Sequence, residues 1–295
     1  MTDAIVYGLA LLPAVLWGFS PILSKRGMAG GGSSLQASLT VVMVDSAVYW
    51  SALLLIAGGD PFDGLGPWTL GIFLGAGVVG TGLGRLATFA GVHRVGASIN
   101  SAGISARPLF ATLLAFVWLG EPVGPVTAVG VVVLVAGLVV LTLSKGGDLG
   151  GWRPRDLLFP LAAAATFGIG NVVRRFGFTT TETTVLQAVA LNEVGAFVGL
   201  FGYAIVAGRR DVLRAPSATY RYFVGSGLVT ALALLSLFAA LDRGRVAIVD
   251  PLAGTAPLFT TLFAALLLGD LERVTKGVVL GAGLIVVGAA LITIA

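Results

Sequence analysis

Four charged residues stand where charge is expensive. Asp45, Arg85, Arg107 and Glu193 fall inside long apolar runs, and a charge centred in such a run costs several kcal/mol unless it meets partners or water. Their types allow three arrangements. Asp45 with Arg85 or Arg107 would make a buried structural ion pair. Alternatively, one or both arginines would grip an anionic group of a cargo through two parallel hydrogen bonds, with a carboxylate as counter-ion, cation site or proton carrier. The charges could also face lipid headgroups. Asn100 beside Ser101, Asn171, and Asn192 beside Glu193 suit interhelical hydrogen bonds or cargo contact. Asp250-Pro251 reads as a helix cap or an unwound entrance, and the lone His93 as an interfacial residue rather than a proton relay.

The chemistry of an enzyme is hard to find. There is one histidine and no cysteine, and no HExxH, GxSxG or Gly-x-Gly-Asp motif, so no catalytic group, metal site or cofactor is expected. Gly75-Ala-Gly-Val-Val-Gly80 spells a dinucleotide fingerprint, but that motif needs a preceding strand in a soluble βαβ unit. Inside an apolar run, close helix packing explains it.

The elements that must position these residues are membrane helices. The chain is 57% hydrophobic and 11% charged, against about a quarter charged in a soluble domain. It cannot cover itself for water. Apolar runs of about 20 residues, the length that crosses hydrocarbon as a helix, recur ten times, near 4–23, 35–57, 68–91, 96–119, 123–143, 156–175, 184–207, 220–241, 246–268 and 274–294. They lack the two-residue alternation of a barrel. An all-α, multi-pass protein of the cell membrane follows. The net charge of +4 fits loops that set orientation better than nucleic-acid binding. Membrane lipid is the expected surrounding and a small molecule the expected partner; monomer and homodimer stay open.

The chain is also duplicated. Arg94-Val-Gly-Ala-Ser…Arg107-Pro108…Leu119-Gly-Glu121 is echoed by Arg243-Gly-Arg-Val-Ala…Ala256-Pro257…Leu268-Gly-Asp270, 149 residues later. Trp17-Gly-Phe-Ser-Pro21 aligns with Phe167-Gly-Ile-Gly-Asn171 at an offset of 150, and Leu35-Gln-Ala37 with Leu186-Gln-Ala188 at 151. Gly130 and Gly137 match Gly281 and Gly288 at 151, so Glu272 could replace Asp270 as the partner of Glu121. Two units result, 1–146 and 147–295. Five spans each is an odd number, so the second unit must be inverted, as in secondary transporters with a site at the repeat interface. The four intramembrane charges do not repeat: Arg107 matches Ala256, and Arg85 matches Leu234. A proline inside such a span removes a backbone donor and is tolerated beside a neighbour or a wet cavity. Pro21, Pro108 and Pro257 therefore read as flexing positions.

Trp17-Gly, Ala97…Pro108…Leu-Gly-Glu121 and Gly130…Gly137, in that order and twice over, resemble the EamA-type repeat of the drug/metabolite transporter superfamily, ten-helix branch. The second copy departs with Phe167 for Trp, Asn171 for Pro21 and Gly269-Asp for Gly-Glu. The resemblance implies helices 1–4 and 6–9 around a central cavity, helices 5 and 10 outside it, and Trp17 facing the cavity. It also implies cytoplasmic termini, whereas loop basic residues, twelve on one side and four on that of the termini, place the termini outside by the positive-inside rule. The expected function is secondary transport of a small polar metabolite, such as an amino acid, by alternating access. A flippase for a phosphate-bearing lipid and a broad drug or cation exporter are the alternatives.

Overall fold

The computed structural model describes residues 4–56, 61–107, 109–110, 124–144, 146–209, 214–244, 249 and 252–294. Among these the chain forms ten helices. In the first half they are α1 (Ala4–Ala29), α2 (Ser34–Ile56), α3 (Pro67–Val95), α4 (Ala97–Ile104) and α5 (Pro125–Leu143). In the second half they are α6 (Leu158–Thr180), α7 (Val185–Val206), α8 (Ser217–Arg243), α9 (Ala256–Leu267) and α10 (Lys276–Ile294). A two-residue ladder pairs β1 (Gly147–Asp148) antiparallel with β2 (Glu272–Arg273). The chain is an all-α integral membrane protein of two inverted five-helix repeats around a central cavity.

Local chemistry explains the repeated Leu-Gln-Ala signature. At the start of α2, Gln36 N donates to Ser33 Oγ at 3.2 Å, and Ser33 N donates back to Gln36 Oε1 at 2.8 Å. Thr184 and Gln187 repeat this reciprocal cap at the start of α7, at 3.3 and 3.1 Å, satisfying helix donors that otherwise lack partners. Each glutamine then reaches into the other half. Gln36 Nε2 donates to Arg214 O, while Gln187 Nε2 donates to Pro61 O and Asp63 O.

Contacts along the helices establish the inversion. A Cβ at Gly27, late in α1, would meet Phe223, early in α8, whereas one at Gly244, after α8, would meet Val6 in the first turns of α1. Helix α8 thus runs antiparallel to α1. Its counterpart α3 runs parallel to α1, because Lys25 Nζ reaches the last carbonyls of α3, Val92 O and His93 O. The outlying helices α5 and α10 cross at matched glycines. A Cβ at Gly130 would lie 2.9 Å from Gly288 O, and one at Gly137 would lie 2.9 Å from Gly281 O. Approach this close drives association where no hydrophobic effect separates helix from lipid.

Two boundaries differ from the sequence expectation. Helix α1 continues through Lys25 and Arg26, past the expected end at 23, and α6 runs on to Thr180, past the expected end at 175. Lys25, Arg26, Arg174 and Arg175, all counted with the basic residues of the loops, therefore lie within helices. Lys25 and Arg174 are buried. Removing both from the loop count leaves the basic excess on the same side.

Candidate functional site

Helices α4 and α9 break at equivalent points. Turns at Ser105–Ala106 and Gly254–Thr255 interrupt them, 149 residues apart, and Ser105 Oγ donates across the interface to Gly254 O at 2.8 Å. Ser105 and Gly254 are equivalent positions, so that bond joins the two halves at matched points. Pro257 opens the helical segment after the second break rather than sitting mid-helix, a position where a missing N–H costs nothing. Pro108 and Glu121, with Asp250-Pro251, lie outside the described residues. Pro21 lies within α1, on the cavity wall. Interrupted helices at mid-membrane leave backbone groups for a ligand or water.

Beside the breaks lies a cavity of about 120 Å3. Equivalent positions of the two halves line it together: Trp17 with Phe167, Pro21 with Asn171, Arg85 with Leu234, and Arg107 with Ala256. Three further pairs, Thr81 with Thr230, Thr88 with Leu237 and Ile104 with Ala253, complete the correspondence. The fold is symmetric here and the chemistry is not. Among the described lining residues every charge is an arginine.

The expected charges come together, but in two layers. Arg85 Nη1 lies 2.9 Å from Asp45 Oδ2 and 3.0 Å from Glu193 Oε2, joining α3 to α2 and α7. Only the Glu193 contact has hydrogen-bond geometry, so Asp45 acts on Arg85 through charge. Both acids are fully buried and neither lines the cavity. Arg85, not Arg107, is the partner of Asp45, and none of the four charges faces headgroups. A buried charge with its partner removed destabilises by about 3–5 kcal/mol, so this trio is structural whatever else it does. Arg107 is buried at the cavity wall, as is Asn100.

Arg174 was not legible as a site residue. Its Nε donates to Asn192 Oδ1, its Nη1 to Asn171 Oδ1 and its Nη2 to Thr81 Oγ1, at 3.1, 2.7 and 2.6 Å. Its guanidinium carbon sits 5.2 Å from the Phe238 ring centroid, within cation–π range. The signal was its place one turn after Asn171, on the same face of α6. A π-helical stretch, Gly77–Leu83, makes room for it: a Cβ at Gly80 would lie 2.8 Å from Gly170 Cα and 3.0 Å from Arg174 Nη2. The GxGxxG run is thus a packing surface. Asn192, for its part, makes an interhelical bond, Nδ2 to Thr81 Oγ1 at 2.7 Å.

Each end of the molecule carries a latch built from equivalent residues. Lys25 donates to Val92 O and His93 O; Arg175, 150 residues later, donates to Leu241 O and Asp242 O at 2.7 and 3.0 Å. Lys25 is buried and also pairs with Asp148 of β1. Its end is further tied by β1–β2 and by Glu272, whose carboxylate accepts from Ala97 N and Ser98 N at 2.7 and 2.9 Å and caps α4. Glu272 is therefore the buried acid, while Asp270 is exposed and pairs with Arg26. Burial pushes the Glu272 carboxyl up, against the pull of those donors.

Comparison with known proteins agrees with this architecture. The sequence model of the EamA-like transporter family matches residues 4–143 and again residues 155–294. A solved crystal structure superposes with a TM-score of 0.66 at 19% identity, covering 99% of this chain and 96% of that one; at that identity the likeness shows the fold alone. No curated protein matches.

Proposed function

The chain belongs to the EamA-like transporter family, and from that premise we propose that it carries a small polar metabolite, of amino-acid size, by alternating access. It is a multi-pass membrane transporter; the cargo and the cycle are our reading. The observation that carries it is the cavity wall, to which residues 1–146 and 147–295 contribute the same positions. Two inverted units around one site can exchange conformations, so that the cavity opens first to one face and then to the other. The Lys25 and Arg175 latches supply the matched closures, and the breaks in α4 and α9, with Pro21 and Pro257, supply the hinges. The side chains gathered at the wall, Trp17, Arg85, Asn100, Arg107 and Asn171, form the cargo site, with Asp45 and Glu193 fixing Arg85 from behind. Energy for uphill movement comes from a gradient of ion or solute.

Counterflow tests this. Purified protein in liposomes loaded with an unlabelled solute should speed entry of the same labelled solute, because a carrier returns faster loaded than empty. A rate unaffected by loading, for every solute that enters, would point to a channel instead.

A further inference from the structure

Two neighbouring positions differ together between the halves, and in the first half they make room for a hydrogen-bonding group with nothing to bond. Asn100 of α4 is fully buried and lines the cavity, and neither its amide nitrogen nor its oxygen has a hydrogen-bond partner among the described residues. Its place depends on a neighbour: a Cβ at Gly91 of α3 would lie 1.9 Å from Asn100 Oδ1, so glycine there admits the carboxamide. The second half shows that packing does not require this pair. At the 149-residue offset Gly91 corresponds to Ala240 and Asn100 to Val249, both apolar and fully buried. Val249 is not among the described residues that line the cavity. An ordinary core pair serves at the equivalent point, whereas the cavity side carries a carboxamide that costs free energy until a partner arrives.

The neighbouring hydroxyls are already engaged. Those of Thr88 and Ser105 donate to Gly84 O and Gly254 O, that of Ser101 accepts from Thr260, and that of Thr81 accepts from Arg174 and Asn192. Size and shape then limit the ligand. A cavity of about 120 Å3 is on the scale of the ~150 Å3 void that takes one benzene ring, and Trp17, Phe89 and Phe167 give it flat apolar faces. A carboxamide sets donors beside an acceptor, the pattern with which asparagine pairs the edge of adenine through two hydrogen bonds.

Resting on the transporter reading above, we infer that Asn100 is a specificity residue for a cargo with a neutral amide-type edge. A carboxamide, a lactam and a nucleobase all carry that edge, one donor beside one acceptor on a flat group. Two hydrogen bonds to Asn100 satisfy it, and the apolar faces of the cavity hold the remainder of the molecule.

The test sets each amide against a compound of similar shape without the edge: nicotinamide against acetylpyridine, uracil against dimethyluracil, glutamine against methionine. The full-length protein in detergent should gain Tm with at least one amide and not with its match, and that amide should show counterflow in liposomes. The variant takes the second half's own pair, Gly91→Ala with Asn100→Val. Its Tm without ligand should equal or exceed that of the parent, because a buried carboxamide without partners is gone. The half-saturating concentration of the amide should rise about tenfold, the loss of one or two hydrogen bonds. Should the variant fold poorly, the matched compounds on the parent protein decide alone. Equal Tm gains from an amide and its match, or unchanged half-saturation in the variant, would overturn the inference, as would no gain with any of the amides. In each of those cases counterflow of another solute leaves the transporter reading standing, whereas its absence for every solute removes both.

Discussion

At one end of the molecule Lys25 holds the last carbonyls of α3; at the other Arg175 holds those of α8. Duplication accounts for the likeness, since the residues are 150 apart and the helices they grip are counterparts. The difference lies in what has been added. The linker between the halves passes the Lys25 end and supplies Asp148 and strand β1, and β2 brings Glu272 to cap α4. At the other end Arg175 is half-buried, and among the described residues no carboxylate pairs with it. Equal closures would give a transporter no preferred state. In the cycle proposed above, one reinforced closure would favour a resting state shut at the Lys25 end, loaded from the Arg175 end.

The comparison is sharpest in stability. Lys25→Met leaves Asp148 without its cation and the α3 carbonyls without a donor, and should cost about 2–4 kcal/mol, as for a largely buried pair. Arg175→Met should cost under about 1 kcal/mol, because its end is partly wet. Denaturation midpoints of both variants in one detergent decide it, and equal losses would erase the distinction between the ends. A smaller contrast is expected from glycines. Gly147 has φ near +88°, and a Cβ there would lie 2.4 Å from Val95 O. Gly147→Ala should therefore lose roughly 1–3 kcal/mol through backbone strain and a clash with backbone. Gly244→Ala at the opposite end would meet Val6 Cγ1 at 2.6 Å and Ala240 O at 3.1 Å but has φ near −124°, so without the backbone strain of Gly147 it should lose less.

The smallest effect concerns pH. Burial holds the Glu272 carboxyl above its ordinary range, so folding favours the protonated form. The stabilisation this brings is complete below the ordinary glutamate value and is lost as pH rises past the raised one. Glu272→Gln should therefore gain on the parent in Tm as pH rises through that interval. A variant that falls further behind would mean that the capping anion is the stabilising form.

Much of this was legible beforehand, and the exceptions have physical reasons. Hydropathy revealed the spans because lipid demands long apolar helices, and inversion followed from parity. Asp45, Arg85, Arg107 and Glu193 drew attention through the cost of burying charge, but their partners are set by the packing of α2, α3 and α7. Linear spacing could not choose Arg85 over Arg107 for Asp45. Arg174 looked like a loop residue because Arg174-Arg175 resembles the basic end of a span. It is buried because Thr81, Asn171 and Asn192 converge on it from three helices. Lys25 was misplaced for the same reason. The Glu272 alternative is visible in the sequence only through the glycine alignment, and its cap on α4 depends on tertiary packing that brings together residues at least 174 positions apart.

Because the chain has no cysteine, one introduced thiol reports cavity access directly. Ser101→Cys sits on the wall and can be challenged in sealed, oriented vesicles with a membrane-impermeant maleimide from either face. In the otherwise unchanged protein, labelling is expected from the Arg175 face alone. With Lys25→Met and Asp148→Asn added, labelling should appear from the Lys25 face as well. Labelling from the Lys25 face in the parent, or a thiol beyond reach from both faces in both proteins, would contradict a cavity shared by two inverted halves and closed by unequal latches.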